Sequence, residues 1–330
     1  MTGRELFTRT LKCENLGGQV PTFELTFFLT MEAFGKVYPG HRVFHQWDQM
    51  SAAEKKLHIA DIADTYITFA RHYGHSAIFV QSEPWCWQEN VDKTRAILSA
   101  IREKSGDEFF LMLHGDPTHG IPDGNHMMDF AVQMYEQPQK LRDHQAGNVE
   151  MLYNAVRSVD PDGSLLDGLA LCSDYCFNVN PFFSPDQFAE FVAPYLKQGI
   201  DGYRSLGKYT IKHTDGNIMP ILDQIAACKP DAIHSLDPQA GVTIPAVRRV
   251  VGGDICLIGN VNCGLMQTGT DNEVRADCLR SLREGMAGGR GYIFSTSNCV
   301  YTGMPLKRYE MMIDLWRRYG NYDEYQKNFG

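Results

Sequence analysis

Short apolar runs alternate along this chain with longer stretches in which apolar residues recur every three to four positions. The runs are VPTFELTF (20–27), SAIFVQSE (76–83), FFLMLHG (109–115), GLALCSD (168–174), YTIKHTD (209–215), AIHSLD (232–237), ICLIGN (255–260) and GYIFSTS (291–297). They are nearly continuous in apolar residues rather than alternating, which is the pattern of parallel strands covered on both faces. The stretches between them, such as AAEKKLHIADIADTYITFARHYG and NEVRADCLRSLREGMAGG, read as amphipathic helices. Several open on Ser, Thr, Asp or Asn and close on Gly, as helix caps require. Eight strands alternating with helices predict a (β/α)8 TIM barrel of the α/β class with N-terminal helical additions. An open doubly wound sheet is the other arrangement, but no Gly-rich fingerprint follows the first strand, so a nucleotide-binding version lacks support. No linker or charge block divides the sequence, and residues 1–330 are expected to form one barrel domain.

Composition narrows the function classes. A formal net charge of −9 offers no basic face that would draw in nucleic acid. The N-terminal MTGRELFTRTLKCENLGG has no apolar core of a signal peptide, and no run of about 18 apolar residues occurs, so a soluble, cytoplasmic protein with no membrane partner is expected. Nine cysteines, an odd count scattered from Cys13 to Cys299, argue against a disulfide framework and for reduced core thiols. Cys172 and Cys176 have no second pair with which to build a zinc ribbon.

In a TIM barrel the chemistry sits where the strands end. The ends here carry Glu24, Gln81 and Glu83, His114 and Asp116, Asp174 and Tyr175, His213 and Asp215, Asp237, Asn260 and Asn262, and Ser297, Asn298 and Cys299. Any single Asp or Asn at such a place is usually a helix cap or turn residue. A polar group on nearly every strand is harder to read that way. In His213-Thr214-Asp215 the strand period of two points both side chains to one side, and Gly216 allows an immediate turn. Such a pair can bind a metal, or the carboxylate can orient the imidazole for proton transfer. Cys299, after the last strand, would complete an N/O/S set suited to Zn²⁺, against the commoner role of a buried cysteine as a small core residue. Trp85, Trp87, Phe177, Phe182, Phe183 and Tyr301 fall in the same loops, a lining suited to a flat or methoxylated organic ligand. Gly288, Gly289 and Gly291 precede the last strand and are weak evidence for a phosphate site.

Three segments, SPDQFAEFVAPYLKQ, SLDPQAGVTIPAVRRVVGGDICLIGNVNCGLMQTGT and STSNCVYTGMPLKRYEMM, resemble the uroporphyrinogen-decarboxylase superfamily, most strongly from about residue 168 onward. That superfamily holds true decarboxylases and cobalamin-dependent methyltransferases. The chain departs from the decarboxylases: where they carry an arginine-bearing Met-Arg-Gln-Ala-Gly-Arg segment it reads FELTFFLTMEAFG, and Ser297-Asn298-Cys299-Val300 replaces a Gly-His-Gly segment. Glu83 stands where the decarboxylases place a pyrrole-binding aspartate. A tetrapyrrole's carboxylates would lack their cations here. The methyltransferase branch is the closer resemblance: its zinc sites use His-X-Cys on the fifth strand and a Cys after the eighth. His213 and Cys299 match those places, Asp215 stands for the first cysteine, and Asn298 is the strict alignment partner of the last.

The resemblance implies a methyltransferase that moves a methyl group between a small, methoxylated organic molecule or folate and a corrinoid supplied by a corrinoid-binding partner protein. It implies Zn²⁺ on His213, Asp215 and Cys299, with Glu83, Asp174 and His213 catalytic. Glu24, Trp85, His114, Tyr175 and Asn260 would contact substrate. A carboxy-lyase acting on a porphyrinogen or smaller acid and a non-catalytic tetrapyrrole or corrinoid carrier are the alternatives; a homodimer is one assembly considered, and the sequence does not fix the oligomeric state.

Overall fold

Seven of the eight apolar runs form strands in the computed structural model, which describes residues 1–42, 47–81 and 90–330. They are β1 (Ala77–Phe79), β2 (Phe110–His114), β3 (Gly168–Cys172), β4 (Tyr209–His213), β5 (Ala232–Ser235), β6 (Cys256–Val261) and β7 (Tyr292–Thr296), all parallel and in chain order. Helices cross between them. Ser51, Ser184 and Thr270 each start a helix with a reciprocal capping box, the Ser or Thr side chain accepting from the third helical amide while the Glu or Gln there reaches back. No described helix is long and apolar enough to cross a membrane.

The expected first strand corrects the fold class. The sheet curves through 241° and leaves its edges 10 Å apart, a gap of roughly two strand spacings that admits one chain segment. Residues 20–27 lie against both edges but do not form a ladder. Phe294 donates its N–H to the Pro21 carbonyl at 2.9 Å, and Ser76 donates to Thr22 at 2.8 Å. Pro21 has no N–H to return. Farther along, the Thr296 amide finds the Glu24 carboxylate at 3.3 Å instead of a backbone carbonyl, and the Thr296 hydroxyl donates to the same oxygen at 2.5 Å. A side chain thus stands where the next ladder bond would fall. The fold is an open, seven-stranded parallel half-barrel with helices, not the closed eight-stranded (β/α)8 TIM barrel that the run at 20–27 predicts.

Both faces of the sheet are buried, as continuous apolar runs require. The concave face encloses Phe79, Met112, Ala170, Ile211, Ala232, Ile258 and Ile293. The helix Gly3–Leu11 closes that space from the N-terminal ends of the strands by inserting Phe7, whose ring lies 4.8 Å from Phe110 and 5.4 Å from Phe23. The convex face packs Leu111, Leu113, Leu169, Leu171, Ile233 and Leu257 beneath the helices.

Among the described strand residues one cation is found, Lys212 of β4, and it is fully buried. Its ammonium meets Asp116 at 2.7 Å, donates to the carbonyls of Leu171 (3.1 Å) and Ser173 (2.9 Å), and lies 4.1 Å from the Tyr175 ring centroid. Asp116 also accepts from the amide and hydroxyl of Thr118 and from the Ser173 amide. Burial by itself would raise that carboxyl, but Lys212 and Thr118 outweigh it and hold it below its ordinary range. A charge so enclosed tolerates no loss of its partner. Lys212→Met should therefore lower the free energy of urea unfolding by about 3 kcal/mol, and Asp116→Asn in the same chain should restore more than half of that loss.

Glu24 presents the opposite case. Burial raises its carboxyl to about 8, against the opposing hydrogen bonds from Thr296 and Ser295. The folded protein thus holds a proton that the unfolded chain releases near pH 4.5, the group's ordinary value. The stabilisation is complete below that pH and is lost as pH rises through about 8. Thermal unfolding of Glu24→Gln, followed from pH 4 to 9, should lack this component, so that the variant gains on the wild type toward the alkaline end.

Candidate active site

Two residues beyond the apolar layer of the concave face, the strands turn polar. Met112 leads to His114, Ala170 to Cys172, Ile211 to His213, Ala232 to His234 and Ile293 to Ser295, each pair sharing one face by the strand period. This ring of side chains lies at the C-terminal ends of the strands, where ligands of parallel α/β sheets collect.

Asp174, His213 and Asp215 come together there, with one ligand atom of each lying within 4.8 Å of the others. The Nε2 of His213 is 3.7 Å from Asp215 Oδ1. Asp215 is held from three directions: Ser235 Oγ donates to Oδ1 at 2.7 Å, Asn298 Nδ2 donates to Oδ2, and the Asp215 amide donates to Asp174 Oδ1 at 3.0 Å. Burial raises the Asp215 carboxyl above its ordinary range; His213 opposes the shift and Asp174 adds to it. Gly216 makes this closeness possible: it adopts φ of 79°, and a Cβ there would stand 2.5 Å from the Phe177 carbonyl and 2.6 Å from that of Cys176.

Behind this group stands His234, whose Nδ1 is 2.7 Å from that of His213 and whose Nε2 is 3.3 Å from the Thr296 carbonyl. Spacing within β5 alone does not single it out. Its signal lies in two runs: KYTIKH and DAIH each end on an apolar-X-His step and, paired in parallel, set His213 opposite His234.

The other expected residues are distributed unevenly. Cys299 is not in the group; its amide binds Asn298 Oδ1 at 2.7 Å, and it is the Asn298 side chain that reaches Asp215. Burial pushes the Cys299 thiol to about 11. His114 ends β2 with its imidazole shifted below the usual range by burial, near His213. Tyr175 is buried, its hydroxyl 2.5 Å from Thr118 Oγ1. Asn260 is also buried, giving its amide hydrogens to the carbonyls of Leu236 and Val242 and accepting from Arg280. Glu24 lies at the open seam. Glu83 and Trp85 fall outside the described residues. Phe177 and Phe182 lie in the loop that follows Asp174, their rings 6.3 Å apart and edge-on.

The chemistry open to this arrangement follows from its donors. One imidazole and two carboxylates, one of them exposed, form an N/O/O set of the kind that holds a divalent cation while leaving positions for water or substrate. The oxygens make it a harder site than a thiolate pair.

Comparison with known proteins places the fold. Residues 169–319 match the family Uroporphyrinogen decarboxylase (URO-D). No curated protein matches the sequence. Among solved structures, a methyltransferase from Methanosarcina mazei superposes with a TM-score of 0.72 at 16% identity, over 96% of this chain and 99% of that one. A GH5_18 protein from Streptomyces cattleya, solved in complex with GlcNAc, gives a TM-score of 0.53 at 10% identity, over 91% of this chain and 81% of the other. At such identities the likeness speaks for fold alone. Residues 169–319 thus resemble the uroporphyrinogen-decarboxylase family in sequence, and the chain as a whole shares its fold with the Methanosarcina mazei methyltransferase.

Proposed function

We propose that this protein transfers a methyl group between a small, oxygen-bearing organic molecule and a corrinoid carried on a separate protein. The observation that carries the reading is the Asp174, His213 and Asp215 group at the mouth, a donor set that fits a divalent cation such as Zn²⁺. Such an ion, when bound, supplies Lewis acidity that eases charge on the oxygen gaining or losing the methyl group. The likeness of the whole chain to a methyltransferase fold supports the same reading.

The protein's own groups have definable parts in it. His213, the last residue of β4, and Asp215, two residues past it, offer one nitrogen and one oxygen to the same space, and Ser235 and Asn298 keep the carboxylate from rotating. Asp174, the exposed member, is placed to hydrogen-bond a substrate hydroxyl or take up its proton. Phe177 and Phe182 offer apolar faces to a flat ligand. Glu83 and Trp85 follow β1 in sequence and are assigned to substrate contact on that placement.

A porphyrinogen substrate is disfavoured by charge. Lys212, the one cation on the described strands, is already paired with Asp116, and a molecule bearing many carboxylates would enter a mouth that presents two acids of its own. Chelator-treated protein should take up about one Zn²⁺ or Co²⁺ per chain, and His213→Ala should abolish that uptake. With methylcobalamin as donor to phenolic probes, or cob(I)alamin as acceptor from methoxylated ones, Asp174→Asn should lower transfer at least about 100-fold, read from the corrinoid absorbance. Robust turnover of uroporphyrinogen, or full activity in chelator, would overturn the reading.

A further inference from the structure

The last residue of β4 and the third of β5 are register partners, so His213 and His234 stand side by side. Both are buried, with ring centroids 4.9 Å apart and planes inclined by 32°. Their Nδ1 atoms, 2.7 Å apart, share one hydrogen: one nitrogen donates and the other accepts. The far side of His234 decides which. Its Nε2 lies 3.3 Å from the Thr296 carbonyl oxygen, which can only accept, so Nε2 carries hydrogen.

A second hydrogen on the same ring would make it a cation, and its surroundings oppose that. Phe23 lies 6.0 Å away, His213 adds a second imidazole, and among the described residues no carboxylate is hydrogen-bonded to it. His234 Nδ1 is therefore the acceptor and His213 Nδ1 the donor. In the neutral ring of His213 the remaining nitrogen, Nε2, bears the lone pair on the side facing Asp215.

We propose that His234 is a positioning residue which fixes His213 in its Nδ1–H tautomer and so presents the Nε2 lone pair to the space between Asp174 and Asp215. What fills that space rests on the methyl-transfer reading; the tautomer does not. An imidazole that ligates a metal commonly has its other nitrogen gripped by an acceptor, and loss of that acceptor typically weakens metal binding by about 10- to 100-fold. Here the grip would come from a second imidazole, itself oriented by a backbone carbonyl of β7.

The test uses full-length protein with ¹⁵N-labelled histidine, first freed of metal by chelator and then titrated with Zn²⁺. Two-dimensional proton–nitrogen spectra of the metal-free wild type should show His213 protonated on Nδ1. His234→Phe keeps a ring but removes the acceptor; it should move His213 toward the Nε2–H form and weaken Zn²⁺ binding at least about tenfold. His234→Asn, which retains an acceptor oxygen near the Nδ1 position, should restore most of that affinity. An Nε2–H tautomer in the wild type, or unchanged tautomer and affinity in His234→Phe, would overturn the proposal. Should His234→Phe fail to fold, the wild-type tautomer decides alone. An Nδ1–H tautomer in a wild type that takes up no metal would support the positioning role and overturn the metal centre instead.

Discussion

The buried contact between Lys212 and Asp116 ties three strand ends to one point. Asp116 follows β2, the carbonyls of Leu171 and Ser173 belong to β3 and its exit, and Lys212 immediately precedes His213 on β4. Because alternate residues of a strand face opposite sides, an ammonium held on the convex side fixes the imidazole of the next residue on the concave side. The same ammonium grips the carbonyl just ahead of Asp174. Two members of the mouth group are thus placed by a charge they never touch. The arrangement is costly to desolvate and secure only while complete, with each lone pair of Asp116 supplied by Lys212, Thr118 or Ser173.

The open seam between β7 and β1 is organised by a different economy of hydrogen bonds. A closed sheet satisfies its edges with backbone alone. Here Pro21 and Thr22 satisfy two amides of the facing edges, and a carboxyl side chain, kept neutral by burial, takes over at Thr296. The Thr296 carbonyl meanwhile receives the ring of His234, so one residue of the last strand joins the seam to the imidazole pair.

Much of this was legible in the sequence because apolar continuity and the strand period are local signals. Seven runs became strands within a few residues of their expected limits, and His213 and Asp215 fall on one side of β4 as the spacing predicts. The first run failed for a reason invisible to hydrophobicity: VPTFELTF is apolar enough for a strand, but Pro21 lacks a donor and the Glu24 carboxyl displaces a carbonyl. His234 escaped notice because its meaning depends on a register partner in another strand. Asn298 and Cys299 were adjacent candidates for one place, and the turn after β7 aims the amide, not the thiol, at Asp215. Tyr175 and Asn260 sit at strand ends as expected, yet packing turns their polar atoms inward, which no spacing rule reports.

The substitution of an amide for a thiolate beside Asp215 has a chemical consequence. Thiolate ligands are nucleophiles that peroxides convert through sulfenic to sulfinic acids, losing their affinity for the ion on the way. Nitrogen and carboxylate oxygen have no comparable ladder to climb. The sulfur of Cys299, beside Asn298, carries its proton up to about pH 11 and is therefore a poor target at neutral pH. A mouth built from Asp174, His213, Asp215 and Asn298 has no thiolate to lose to oxidation, and as the proposed metal site it would favour harder cations.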